Sequence, residues 1–227
     1  MPRLTPEQLA ALAAIDSPTV ANAIERFHVR RRVDGYADRD LRCVFPQLGT
    51  MLGYAVTCTA DSTTEGRTDG AGLLGLWAAL EAVPGPTVLV IKDIGPDPRR
   101  GCHMGEIMAT TARTLGAVGC VSDAGLRDVR EVEALGGFQY FCPGLVVSHG
   151  QPVIVEVGVP VALHGLTIHP GDLLHGDANG LLVVPDAIAA DVAAACAEVR
   201  AEERALLDLI TAPGFTVEKL RAWRFTH

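Results

Sequence analysis

Residues 87–142 read TVLVIKDIGPDPRRGCHMGEIMATTARTLGAVGCVSDAGLRDVREVEALGGFQYFC, and this stretch decides the fold. Thr87 to Ile91 is a short apolar run after Pro84-Gly85-Pro86, the pattern of a strand buried on both faces. A loop with Gly95, Pro96, Pro98 and Gly101 follows, then a predicted helix from Gly105 to Leu115 closed by Gly116. Val118 to Ser122 is a second buried strand. Asp123 to Leu126 forms a second turn, Arg127-Asp128 lead into a helix ending at Gly136-Gly137, and Phe138 to Cys142 is a third strand. Strands and helices alternating in this way imply parallel strands joined by right-handed crossovers.

Outward from this unit, Asp69 to Val83 is apolar at helical spacing and Met51 to Thr59 is strand-like. Thr5-Pro6-Glu7-Gln8 offers an N-cap, a first-turn proline and a capping-box glutamine, and Ser17-Pro18 repeats the cap-plus-proline signal. On the other side the pattern changes. Val153 to Val157, Val161 to Leu163 and Leu181 to Val184 alternate with turns at Pro170-Gly171-Asp172 and Asn179-Gly180, which are antiparallel hairpin signals. An Ala-rich amphipathic helix spans Asp186 to Ile210. The expectation is one α/β domain over residues 1–227: N-terminal helices within 5–28, a core over 43–185 and a C-terminal helix over 186–210.

The 227 residues carry 19 basic and 27 acidic side chains, a net charge of −8 that disfavours a general grip on nucleic acid. Arg99-Arg100 is only a local positive spot. The six cysteines are spread out with no C-x-x-C, which reads as buried thiols in a reducing compartment. Leu9 to Ile15 lacks a basic leader, and no apolar run reaches the ~20 residues needed to span a bilayer. A cytoplasmic protein without membrane contact is expected.

The chemistry concentrates between Gly105 and Glu131. A loop entering a helix at Gly105 exposes free N–H groups at the positive end of the dipole, with the amides of Ile107 and Met108 placed to bind a carboxylate or phosphate. Arg127 has a guanidinium suited to bidentate carboxylate binding, Asp128 is a hard oxygen ligand, and Glu131 follows at i+3. By residue type alone, these three read equally well as a ligand set or as a surface ion-pair network.

Gly105-Glu106, twenty intervening residues, Arg127-Asp128, two more, then Glu131 resemble the pattern of the 4-hydroxy-4-methyl-2-oxoglutarate aldolase family, which includes the regulator of ribonuclease activity A. Gly116 to Asp128, Pro170-Gly171-Asp172 and Asp177 to Pro185 extend the resemblance over roughly Ser17 to Pro185. It implies an α/β/β/α sandwich similar to swivelling phosphohistidine domains. It further implies a divalent-metal-dependent lyase that cleaves a C–C bond of a small α-keto acid to give pyruvate, as a class II aldolase or oxaloacetate decarboxylase. Carried onto these positions, Asp128 ligates Mg²⁺ or Mn²⁺ directly, while Glu106 and Glu131 act on the metal through water. Gly105, Glu106, Arg127 and the amides of Ile107 and Met108 hold the substrate, and no organic cofactor is needed. Glu106 stands where these aldolases often have aspartate, as does Asn22. Trimers or hexamers with sites between subunits are also implied, with Glu202 or Glu203 as candidates to reach a neighbour's metal. The alternatives are a non-catalytic regulator that binds a ribonuclease, and a sister lyase or hydratase for another keto acid.

A Schiff-base route is disfavoured: the lysines are Lys92 and Lys219, and Lys92 reads as an ion-pair residue. His103 reads as a loop histidine rather than a ligand. His149, His164, His169 and His175 read as exposed turn residues, Cys102 has no neighbour marking it as a nucleophile, and Trp77 and Trp223 read as packing residues.

Overall fold

The N-terminal helices start where their side chains supply the missing hydrogen bonds. In the computed structural model, which describes residues 3–68 and 71–224, α1 (Pro6–Ala13) carries the expected capping box between Thr5 and Gln8. Helix α2 (Ser17–Glu25) is capped by Asp16, which accepts from the Thr19 N–H at 2.9 Å. The expected cap at Ser17 is therefore one residue late. Ser17 instead turns its hydroxyl to His175 Nδ1 at 3.0 Å.

The centre is a mixed sheet. Strand β1 (Arg42–Cys43) precedes β2 (Met51–Asp61), whose eleven residues are all buried. Helix α3 (Gly72–Glu81) follows; its expected start at Asp69 lies outside the described residues. Then come β3 (Thr87–Asp93), the short β4 (Cys102–Met104), α4 (Glu106–Thr114), β5 (Ala117–Ser122), the short β6 (Gly125–Leu126), α5 (Val129–Ala134) and β7 (Gln139–Cys142). Strands β2, β3, β5 and β7 lie side by side and parallel, as the apolar runs predicted. Strand β1 closes one edge, antiparallel to β7.

Beyond β7 lie β8 (Val153–Val157), β9 (Val161–Leu163), β10 (Leu166–Ile168), β11 (Leu173–Asp177) and β12 (Gly180–Val184). Two hairpins form, β9–β10 and β11–β12. The first turns through His164 at φ 47 and Gly165 at φ 78, the positive pair of a type I′ turn. Strand β8 joins no hairpin. Strand β11 pairs β2 only from Met51 to Tyr54, and β8 pairs antiparallel with Cys58 to Asp61, which β11 leaves unpaired. A buried strand cannot leave its ladder open, so the longer-range partner prevails. Helices α6 (Ala189–Thr211) and α7 (Val217–Arg224) end the chain, the latter with no counterpart in the sequence reading.

The core follows the two-residue period of the strands. Leu52 and Tyr54 on β2 meet α1, α2 and α6, while Val56, Cys58 and Ala60, on the same face, meet α3, α4 and α5. The opposite face, with Met51, Ala55, Val88 and Val90, packs on the β9–β10 hairpin in a cluster that holds no helical residue. The molecule is thus a mixed α/β fold in which six helices cover one face and a β layer covers the other. The outer helical layer of the expected α/β/β/α sandwich is not present among the described residues. No described helix is long and apolar enough to cross a membrane.

Candidate active site

Two very short strands build the site. Strands β4 and β6 pair in parallel, Cys102 opposite Gly125 and Met104 opposite Leu126. Each leads into one of the turns singled out above. The Arg127 N–H donates to Met104 O at 3.2 Å, so Gly105 and the Arg127-Asp128 pair lie side by side.

Gly105 is the point of contact. A Cβ there would lie 2.5 Å from Asp128 Oδ2, closer than real Cβ atoms approach, and 3.1 Å from Arg127 Nε, a tight contact. Its φ of −139° is ordinary extended backbone, so the position requires space rather than conformational freedom. Asp128 has a left-handed backbone, φ 57° and ψ 44°, which a short polar side chain tolerates. That conformation turns its carboxylate away from its own helix and back to α4, where Oδ2 accepts from the Glu106 N–H at 3.1 Å. Helix α4 is therefore capped by a residue twenty-two positions away. The amides of Ile107 and Met108 in its first turn have no acceptor among the described residues. The Arg127 guanidinium approaches Asp128 Oδ2 at 3.6 Å and is 39% exposed, so it keeps donors free.

These groups surround a cavity of about 340 Å³ lined by Gly105, Glu106, Ile107, Met108, Arg127 and Asp128. That size suits a small organic acid. Free amides, the helix dipole and a guanidinium converge on one side of a carboxylate, which is an arrangement for an anion beside a cation. Glu131 is the exception among the expected residues. It is exposed in the first turn of α5 and does not line the cavity. His149 is exposed, as expected of a turn residue, but it also lines the cavity with Pro152, which the sequence did not indicate. Its segment follows β7 and returns past β6 through the Val146 N–H to Leu126 O bond at 3.1 Å, a long-range pairing with no local sequence signal.

The donor set suits a hard, hydrated divalent ion. Asp128 Oδ1 carries no hydrogen bond among the described residues, and Glu106 offers an exposed second carboxylate. Mg²⁺ commonly takes one or two carboxylates and keeps water or substrate oxygens elsewhere. A closed cage is absent: no group of three or more His, Cys, Asp or Glu could hold a metal among the described residues.

Other candidates resolve into structural roles. Lys92 pairs with Asp123 at 2.5 Å, as expected. Cys102 is buried, its thiol is pushed up chiefly by desolvation, and Sγ donates to Met104 O at 3.2 Å, which excludes a ready nucleophile. His103 lies on a strand rather than a loop, with its imidazole directed into the core. His175 is fully buried, contrary to its expected exposure. Within the chain, Glu202 pairs with Arg26 at 2.6 Å, and Glu203 accepts from Asn22 at 3.2 Å, both away from the Gly105 cavity.

Comparison with known proteins places the chain in a family. The RraA-like family model, described as Aldolase/RraA, matches residues 17–183. A Halalkalibacterium halodurans protein named "Putative 4-hydroxy-4-methyl-2-oxoglutarate aldolase" is 34% identical over 156 residues, 66% of this chain and 72% of its own length. An Ectopseudomonas mendocina protein of the same name is 32% identical over 111 residues, covering 47% of this chain and 65% of that protein. Among solved structures, Streptomyces coelicolor RraAS2, described as an unusual member of the RNase ES inhibitor RraA protein family, superposes with a TM-score of 0.68. It is 24% identical, over 90% of this chain and 97% of that one, a likeness of fold.

Proposed function

The chain belongs to the RraA-like family, and on that premise we propose that it is a lyase of small α-keto acids, cleaving a C–C bond to release pyruvate with Mg²⁺ or Mn²⁺. The observation that carries the proposal is the junction at Gly105, where two unpaired amides, a half-exposed guanidinium and a carboxylate with a free oxygen face one small cavity.

The roles follow from donor chemistry. The substrate carboxylate lies on the Ile107 and Met108 amides, favoured by the α4 dipole, and Arg127 clamps it with paired N–H donors. Asp128 and Glu106 would hold the metal, which when bound would supply Lewis acidity to a keto acid in the cavity. Asp128 keeps Oδ2 on the Glu106 N–H, which fixes the direction of Oδ1. His149 adds an imidazole to the cavity wall, the side-chain type used most often to carry a proton in catalysis. Aldol cleavage and oxaloacetate decarboxylation share the pyruvate enolate, so one site serves both reactions.

The test is pyruvate release from oxaloacetate and from 4-hydroxy-4-methyl-2-oxoglutarate, with Mg²⁺ and with chelator. Turnover of either acid that stops on chelation is expected. Chelator-insensitive turnover would remove the metal from the mechanism. Absence of pyruvate, together with ribonuclease binding unchanged in Asp128→Ala, would favour the regulator reading instead.

A further inference from the structure

From His103, which itself belongs to the lining of the cavity, a chain of buried hydrogen bonds crosses three strands. His103 Nε2 meets Asp93 Oδ2 at 2.8 Å, and Nδ1 meets Ser122 Oγ at 2.9 Å. Asp93 Oδ1 accepts from the Gly95 N–H at 2.7 Å, and Ser122 Oγ accepts from the Ala124 N–H at 3.0 Å. Both side chains of the His103–Asp93 pair are at most 1% exposed, and Ser122 is fully buried. The bonds are mutually consistent. Desolvation works against the Asp93 anion, but His103 and the Gly95 N–H hold its pKa below the usual value. Asp93 accepts from Nε2–H, and Nδ1 pairs with the Ser122 hydroxyl. Every polar atom in the path then has a partner, as burial demands.

Such a row of Asp, His and Ser invites comparison with a nucleophilic triad, yet no reactant can reach the Ser122 hydroxyl. Its position suggests another task. His103 lies at the centre of β4, where the β4–β6 ladder has a register irregularity between Cys102 and Met104. Two residues later comes Gly105; Ala124, at the far end of the chain of bonds, lies three residues before Arg127. The ladder alone is too short to fix these turns, since it spans only two paired positions. The imidazole passes beneath it and ties β4 both to the end of β3 and to the turn that enters β6.

We propose that His103 is a positioning residue: by bridging Asp93 and Ser122 it holds the α4 N-terminus in register with Arg127 and Asp128. The proposal rests on the reading of that cavity as the reaction site. Glycines make the brace possible. A Cβ at Gly101 would lie 3.0 Å from Asp93 Oδ2, and one at Gly95 would lie 3.0 Å from Asp93 Oδ1. Both glycines thus leave the room that the Asp93 carboxylate occupies beside His103.

The test compares wild type with His103→Gln, Ser122→Ala and a control, Leu76→Ala, which opens a cavity under α3. Amide hydrogen exchange reports the register directly, through the Gly125 and Arg127 N–H groups bonded to Gly101 O and Met104 O. Both brace variants should lose protection there selectively, and kcat for pyruvate release should fall roughly 10²-fold, as for a small misplacement of reacting groups. The control should lower the melting temperature with neither effect. Ser122→Thr, which keeps the hydroxyl, should restore most of the rate. Unchanged protection at Gly125 and Arg127, or a loss of kcat no larger than in Leu76→Ala, would overturn the proposal. Should His103→Gln fail to fold, Ser122→Ala, which deletes a single hydroxyl, carries both measurements. A wild type that releases no pyruvate would refute the lyase reading, and the exchange pattern alone would then decide the role of His103.

Discussion

Gly105 and Asp128 show how a single residue choice governs the site. Placing a methyl group 2.5 Å from Asp128 Oδ2 must displace the carboxylate, the guanidinium beside it, or both. Gly105→Ala is therefore expected to fold with little change in melting temperature and to lose pyruvate formation by roughly 10²-fold. A rate within twofold of wild type would mean that Asp128 need not reach α4. Asp128→Ala and Asp128→Asn separate two duties of one side chain. Alanine removes the distant cap on the Glu106 N–H and should cost about 1 kcal/mol in a urea titration. Asparagine keeps an acceptor and tolerates the left-handed backbone, so it should retain that stability while losing the charge.

At the scale of elements, side-chain bonds dock short segments to the sheet. His175 on β11 docks both N-terminal helices: Nε2 donates to Leu12 O at 3.3 Å while Nδ1 accepts from Ser17 Oγ. Desolvation lowers its pKa below 6.5 despite the favourable Leu12 carbonyl, Asp177 and Asp16. A depressed histidine is protonated more readily in the unfolded chain, so stability falls as pH drops through the unfolded value near 6.5. Urea midpoints should decline from pH 7 to pH 5, and His175→Gln should flatten that slope. An equally steep slope in the variant would place the titration elsewhere.

The same scale explains what could be read in advance. The strands of the parallel unit were legible because Thr87 to Ile91 and Val118 to Ser122 are buried on both faces, and burial leaves an apolar run in the sequence. The α4 start was legible because a Gly- and Pro-rich loop gives way at Gly105 to a helical pattern. Strands β4 and β6 were not, since Cys102–Met104 and Gly125–Leu126 are too short to show a period and exist only by pairing with each other. For the same reason the role of His103 was hidden: its partners are ten and nineteen residues distant. His149 was missed because the path of its segment is set by a bond to β6. Ser17 misled because Asp16 and Ser17 are both good caps, and a tertiary bond to His175 decided between them.

For the whole molecule, the proposed site is built from β4 and β6, which follow the parallel strands β3 and β5 in the chain, and carboxyl ends are the usual place for a ligand in such sheets. The interior is also chemically quiet. All six cysteines are free thiols, and burial raises Cys43, Cys142 and Cys196 to about 11 and Cys58 to about 12. An aromatic disulfide reagent at pH 8 should label the native protein slowly and release six thiols once guanidinium unfolds it. Rapid labelling of the native chain would contradict the tight core inferred around the sheet.

In the proposed lyase, the Asp128 carboxylate is the group that would join metal and substrate at the Gly105 junction. Its most direct test is Mg²⁺-dependent pyruvate release from oxaloacetate by wild type and by Asp128→Asn at equal folded concentration. The prediction is that wild type turns over, chelation stops it, and the folded variant falls at least 10²-fold with or without the metal. Turnover by Asp128→Asn at the wild-type rate would contradict it.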